Sequence, residues 1–259
     1  MTYCKRALLA LFFGFFVFTP LFGGGGGESG SGAERGVSTP PESEGLLNVV
    51  ATTSILGDVV SQVGGDAINL YVLIGRGQDP HSFEPTPKTL AAIESAEIIF
   101  TNGFGLEESL LDDIEAAAGG EVVAASRNID PLSLDEDGHA EDEDEEEDHG
   151  EEHHEHGEVD PHVWFDQTNG VAWVDTIEKV LKEADPQNAG VYETRAAAYM
   201  DKLKELDTTI REQAASLPDD KRKLVTDHDV FSYFAEEYGF EIIGAIIPTM
   251  SGGAEVSAR

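Results

Sequence analysis

Basic side chains are scarce in this 259-residue chain. Sixteen lysines and arginines stand against 51 aspartates and glutamates, a formal charge of −35. Nucleic-acid binding needs a basic footprint, so that class of partner is excluded. Cysteine is nearly absent. The only one, Cys4, lies ahead of an apolar stretch, which leaves no disulfide framework and no cysteine metal site. There is no HExxH helix and no GxSxG turn, the usual marks of zinc proteases and serine hydrolases. Long apolar runs are missing too. Lys5 and Arg6 precede the apolar residues 7–18, and Pro20 follows. Even extended to Phe22, this stretch is shorter than the ~20 residues of a spanning helix. Its layout is that of a signal peptide over residues 1–22. Gly23 and its neighbours stand where a lipid-anchored protein would carry cysteine, which argues against lipid attachment. The Gly/Ser/Pro/Glu-rich residues 23–45 read as a flexible linker.

Acid is concentrated in one place. Residues 135–158 hold 15 carboxylates and no basic residue. Taking 15 from 51 leaves 36 acidic against 16 basic residues, so the remainder is still about −20. A charge spread this widely suits cation attraction and solubility, and high salt would screen its self-repulsion, as in proteins of salt-loving microbes. The same tract and its edge carry six of the eight histidines: His139, His149, His153, His154, His156 and His162. Imidazole ligates zinc and its first-row neighbours, and carboxylates can complete the shell. Residues 135–158 cannot bury enough apolar surface to fold, so they read as a disordered, metal-attracting insert with His139, His149, His153, His154 and His156 as weak accessory ligands. The tract ends in Asp160-Pro161-His162, and a second Asp-Pro-His occurs at Asp79-Pro80-His81.

From Leu46 the pattern alternates between strands and helices. Residues 47–52 (LNVVAT), 68–74, 97–100 and 121–125 read as strands. After Ser54, Leu56, Val59, Val60 and Val63 share one helical face that Gly64-Gly65 ends. Thr86-Pro87 starts a helix with proline in its first turn. Residues 107–117 and 170–181 are helical. Such alternation implies a mostly parallel sheet covered on both faces. Tyr192, Ala196, Tyr199, Leu203, Leu206, Ile210 and Ala214 form one stripe on a helix of roughly 25 residues, long enough to join two lobes, and read as core packing. Residues 223–226 and 241–247 are strands around a helix at 230–238. Two strands make a small lobe, and the apolar run 242–247 is expected to lie uncovered and prone to association. The fold class is α/β: two lobes with parallel sheets joined by a long rigid helix, the second lobe apparently truncated. The divisions expected are 46–185 for the first lobe, 186–218 for the linking helix and 219–259 for the partial second lobe.

Three histidines outside the insert follow strands, where α/β sheets place ligands: His81, His162 and His228. Each also has a plainer reading. His81 could be a surface-loop turn residue, His162 a part of the mobile tract, and His228 a helix-start residue capped by Asp227 or Asp229. Asp79, Glu84, Asp160 and Asp229 are candidates to orient the imidazoles. Three imidazoles favour Zn2+ over Mn2+, which prefers oxygen ligands. Three histidines plus water is also a catalytic pattern, so a zinc hydrolase is one rival function. An acidic cation buffer acting through the insert is another.

VVATTSILGDVV, AEIIFTNGFGLE, GQDPHSFEPTP, DPHVWFD and TDHDVFSYFAEEYGF together resemble the metal-binding solute-binding proteins of ABC uptake systems for zinc and manganese. The acidic His-rich insert is similar to that of the zinc importers. The resemblance implies no enzyme. It implies two α/β lobes with the metal between them, held by His81, His162 and His228, and delivery to a membrane permease by an extracytoplasmic monomer. Family members take a fourth ligand from a segment further along, which this chain does not reach; water, Asp227 or Asp229 is expected in its place.

Overall fold

The computed structural model describes residues 45–133 and 159–247. The expectations for the signal segment and most of the linker, for residues 135–158 with His139, His149, His153, His154 and His156, and for 248–259 lie outside the described residues.

Strand β1 (Leu47–Thr53) is the central strand of a four-stranded parallel sheet of order β2-β1-β3-β4. Its apolar run does not alternate because both faces are covered. Val49 and Ala51 join one core cluster, and Val50 joins the other. β2 (Ile68–Ile74) pairs with one side of β1, Val50 standing beside Tyr71, and β3 (Ile98–Thr101) pairs with the other, Val50 beside Ile99. β4 (Glu121–Ala124) closes the far edge. Successive strands are therefore added first on one side of β1 and then on the other, and the winding reverses between β1 and β3. In doubly wound sheets the crevice at that switch point, beyond the carboxyl ends of the strands, is where ligands bind.

Helix α1 (Ser54–Gly64) begins as β1 ends. The Thr53 hydroxyl accepts from Leu56 N at 3.2 Å, and Leu56, Val59, Val60 and Val63 are all buried as their spacing implies. At its other end Gly65 has φ +55° and donates its N–H to the Ser61 carbonyl, and Arg195 donates to the carbonyls of Ser61 and Gln62. Pro87 occupies the first turn of α2 (Pro87–Ser95), behind a capping box between Thr86 and Thr89. α2 and α3 (Glu108–Ala117) cover one face of the sheet through Ile93, Leu110 and Ile114.

The other face is covered by α1, α4 (Gln167–Ala184) and α5 (Ala189–Ala215). α4 starts three residues earlier than the periodicity predicts because Asp166 caps it, accepting from Thr168 N at 2.7 Å. Trp173, Ile177 and Tyr192 are fully buried here. α5 has 27 residues, about 40 Å at 1.5 Å per residue. Its expected stripe is only partly core. Tyr192, Ala196, Leu203 and Ala214 are buried, but Leu206 is 44% exposed. Past Leu203 the helix meets α6, where Tyr238 donates to Asp207 and Arg211 donates to the Glu237 carbonyl.

The second lobe contains β5 (Lys223–His228), α6 (Ser232–Tyr238) and β6 (Glu241–Ile247), the two strands parallel with a bulge at Leu224/Val225. β5 runs two residues beyond its sequence-derived end, so His228 is its last residue and not a helix-start position. The N-cap of α6 is Phe231, with no side-chain cap bond. Among the described residues this sheet exposes apolar side chains: Val225 is 69% exposed, Ile243 52% and Ile246 67%. No helix among the described residues is long and apolar enough to cross a membrane.

Candidate metal centre

His81 lies in the loop between β2 and α2. Asp79 shapes that loop. One carboxylate oxygen accepts from the His81 amide at 3.0 Å, and the other accepts from the Ser82 hydroxyl at 2.7 Å. The His81 imidazole is half-buried. Burial lowers its pKa first, the neighbouring His162 lowers it further, Asp79 opposes this, and His228 adds to the lowering. The ring is thus held toward its neutral, ligating form.

His162 follows the same Asp-Pro dipeptide but in a different setting. Asp160 is wholly buried and His162 is 3% exposed. Asp160 Oδ1 accepts from the His162 amide at 2.9 Å and bonds its Nδ1 at 2.7 Å. A carboxylate can only accept, so the proton sits on Nδ1 and the Nε2 lone pair is left for a cation. Trp164 packs edge-on against the imidazole, its ring centre 5.2 Å away.

His228 comes from the end of β5 in the second lobe. Its ring centre is 5.5 Å from that of His162 and 5.9 Å from that of His81, and His81 to His162 is 5.6 Å. Each histidine offers a nitrogen within 4.8 Å of those of the other two. In a tetrahedral zinc site with ~2.0–2.1 Å bonds, ligand nitrogens stand about 3.4 Å apart. A small inward movement would bring the imidazoles onto an ion.

The remaining sequence-derived candidates do not join this cluster. Asp79 bonds the backbone of its own loop and not the imidazole. Glu84 is exposed and makes no hydrogen bond with a described residue. Asp229 has a buried oxygen without a partner but is not among the converging groups. Asp227 has a side chain outside the described atoms. Of the four residues expected to orient imidazoles, Asp160 alone holds a ring nitrogen.

One group was not foreseen. Glu107 is buried and accepts from the Thr52 hydroxyl at 2.5 Å, from Asn102 N at 2.7 Å and from Gly103 N at 3.4 Å. Burial pushes its carboxyl up, against those donors. It ties the end of β1 to the loop after β3, at the switch point and beside the ligand loop. The only sequence signal was an acidic residue closing a glycine-rich turn, in TNGFGLE.

The manganese-binding lipoprotein MntA of Halalkalibacterium halodurans is 34% identical over 217 residues, 83% of this chain and 65% of that protein. Over that comparison the chain spans less than two thirds of its relative's length. Among solved structures, the manganese-bound periplasmic metal-binding protein of Candidatus Liberibacter asiaticus aligns with a TM-score of 0.65 at 26% identity, covering 76% of this chain and 67% of the other. A zinc-bound ZnuA with residues 138–173 of its own numbering deleted aligns with a TM-score of 0.66 at 28% identity, covering 77% and 69%. Residues 49–259 match the family described as zinc-uptake complex component A, periplasmic, and the chain belongs to that family.

Proposed function

We propose that this chain is the extracytoplasmic receptor of an ABC metal importer, capturing Zn2+ with His81, His162 and His228 and handing it to a membrane permease. The observation that carries this reading is the meeting of three imidazoles drawn from both lobes, one of them fixed in tautomer by a buried carboxylate. The names of its relatives support metal capture but divide between manganese and zinc. The donor set favours zinc. It is all imidazole nitrogen, whereas manganese prefers oxygen, and among the described residues no carboxylate joins it. The hydrolase alternative is weaker. It needs a carboxylate free to serve as a base, and Asp160 is committed to His162. The His-rich residues 135–158 act as accessory weak ligands that raise local cation concentration. The receptor works as a monomer, exported by its N-terminal segment.

Competitive titration with zinc and manganese tests the reading. Zinc should bind more tightly than manganese to the full chain, and His81→Ala, His162→Ala and His228→Ala should each weaken zinc at least tenfold. A preference for manganese, or indifference to the three substitutions, overturns it. Deleting residues 135–158 should remove weak sites only. Loss of the tight site on that deletion would move the primary ligands into the insert.

A further inference from the structure

The backbone around His162 is held by side chains from two different places in the fold. From the second lobe, the Tyr233 hydroxyl donates to the carbonyl of Asp160 at 3.0 Å and accepts from the amide of Leu132 at 3.0 Å. From the tip of β3, the Asn102 amide donates to the carbonyl of Pro161 at 2.9 Å. The two carbonyls are consecutive, and His162 is the next residue. Tyr233 is 4% exposed and Asn102 is wholly buried, so neither bond is open to competition from water.

Each anchor is itself fixed. The Asn102 backbone amide donates to Glu107, which also takes the Thr52 hydroxyl. The Tyr233 ring sits in the first lobe's core cluster although it belongs to α6. It stands five residues after His228, so its hydroxyl closes a short circuit between the strand that carries one imidazole and the loop that carries another. Leu132 and Asp160 are also joined directly, Asp160 N donating to Leu132 O at 2.9 Å, so the same hydroxyl grips both stems of the His-rich insert. Burial raises the Tyr233 phenol, which keeps it an O–H donor at neutral pH.

We propose that Tyr233 and Asn102 are positioning residues which clamp the Asp160–His162 backbone from opposite lobes and so set the His162 imidazole relative to His228 and His81. This rests on the three-histidine reading above. Neither residue touches the ion. Each acts through the carbonyl it holds, and removing such a support weakens metal binding by about 10–100-fold.

The test uses the full chain with Tyr233→Phe, which keeps the ring and deletes the clamp, and Asn102→Ala as an independent second variant. His162→Ala and Ile114→Val serve as controls, the latter a mild core change on the far face of the sheet. Zinc affinity is measured by competition, and Co2+ is added as a visible-absorption probe of ligand geometry. Both clamp variants should lose about 10–100-fold in zinc affinity and alter the Co2+ spectrum, while Ile114→Val leaves both as in the parent. Parent-like affinity and spectrum in whichever clamp variant folds, with His162→Ala abolishing the site, overturns the clamp and spares the three-histidine reading. A parent chain whose zinc and Co2+ binding is unmoved by His162→Ala overturns both.

Discussion

At the scale of single residues, Asp160 is the side chain on which the centre turns. It is buried, it is bonded to His162 Nδ1, and it fixes which ring nitrogen faces the other two histidines. Asp160→Asn would offer an amide that can donate to Nδ1 and favour the wrong tautomer. We expect zinc affinity to fall by about 10–100-fold with little change in secondary structure, measured by calorimetry and circular dichroism. Unchanged affinity would show that the imidazole needs no such partner. Protons compete for the same nitrogens. The His81 pKa is lowered from 6.5 in the folded chain, so below pH 6.5 the unfolded chain binds more protons at this position than the native one. Its contribution to stability therefore diminishes as pH falls through that range. Bound metal opposes protonation further, and three imidazoles lose their lone pairs together. Release is expected between roughly pH 6 and 5. An isotherm unchanged at about pH 5 would argue for oxygen ligands.

At the scale of elements, α5 is the helix that both lobes share. It packs on α1 and α4 in the first lobe and on α6 in the second. Arg195 fastens it to the end of α1, and Tyr238 of α6 donates to Asp207 at 3.1 Å. A break within the helix should therefore damage a site that it does not touch. Ala198 is exposed on this helix, so replacing it changes the backbone and little else. Ala198→Pro should cost about 3 kcal/mol or more and weaken zinc binding, whereas Ala198→Gly should cost only about 1 kcal/mol and leave affinity near that of the parent. Thermal unfolding beside zinc competition reads both. Equal zinc affinity in a folded Ala198→Pro chain would mean that the lobes are set by their contacts near the site and not by the helix.

At the scale of the whole molecule, charge is the dominant feature. A formal −35 over 259 residues makes the folded chain repel itself, and most of the ion pairs among the described residues lie at the surface, where each contributes little. Screening relieves the repulsion more than it weakens those pairs. The melting temperature should rise as potassium chloride goes from about 0.1 M to about 2 M, a range over which the Debye length shrinks from ~10 Å to under ~3 Å. A flat or falling melting temperature would mean that the carboxylates are already balanced by specific partners. The same charge draws cations toward the histidines, so the on-rate for zinc should fall with ionic strength.

Periodicity is a local property, and what it implied about local structure agrees with the fold. The buried face of α1, the strand positions in both lobes, the proline start of α2 and the presence of a long helix all follow from neighbours within a few residues. Charge and composition likewise belong to the chain itself. The burial along α5 does not, because a stripe becomes core only where something packs on it, and Leu206 stays 44% exposed. The two Asp-Pro-His tripeptides make the point most directly. Both form the same local turn, aspartate to the amide of histidine, at 3.0 and 2.9 Å. Asp160 also takes the imidazole nitrogen, while the second oxygen of Asp79 goes to Ser82. Identical residues diverge because one aspartate is wholly buried and the other is exposed. The resemblance singled out the three histidines, but their approach to within 4.8 Å, with sequence gaps of 81 and 66 residues, is a tertiary fact. So are the bonds of Tyr233 and Asn102, which reach across 73 and 59 residues to carbonyls that carry no sequence signal of their own.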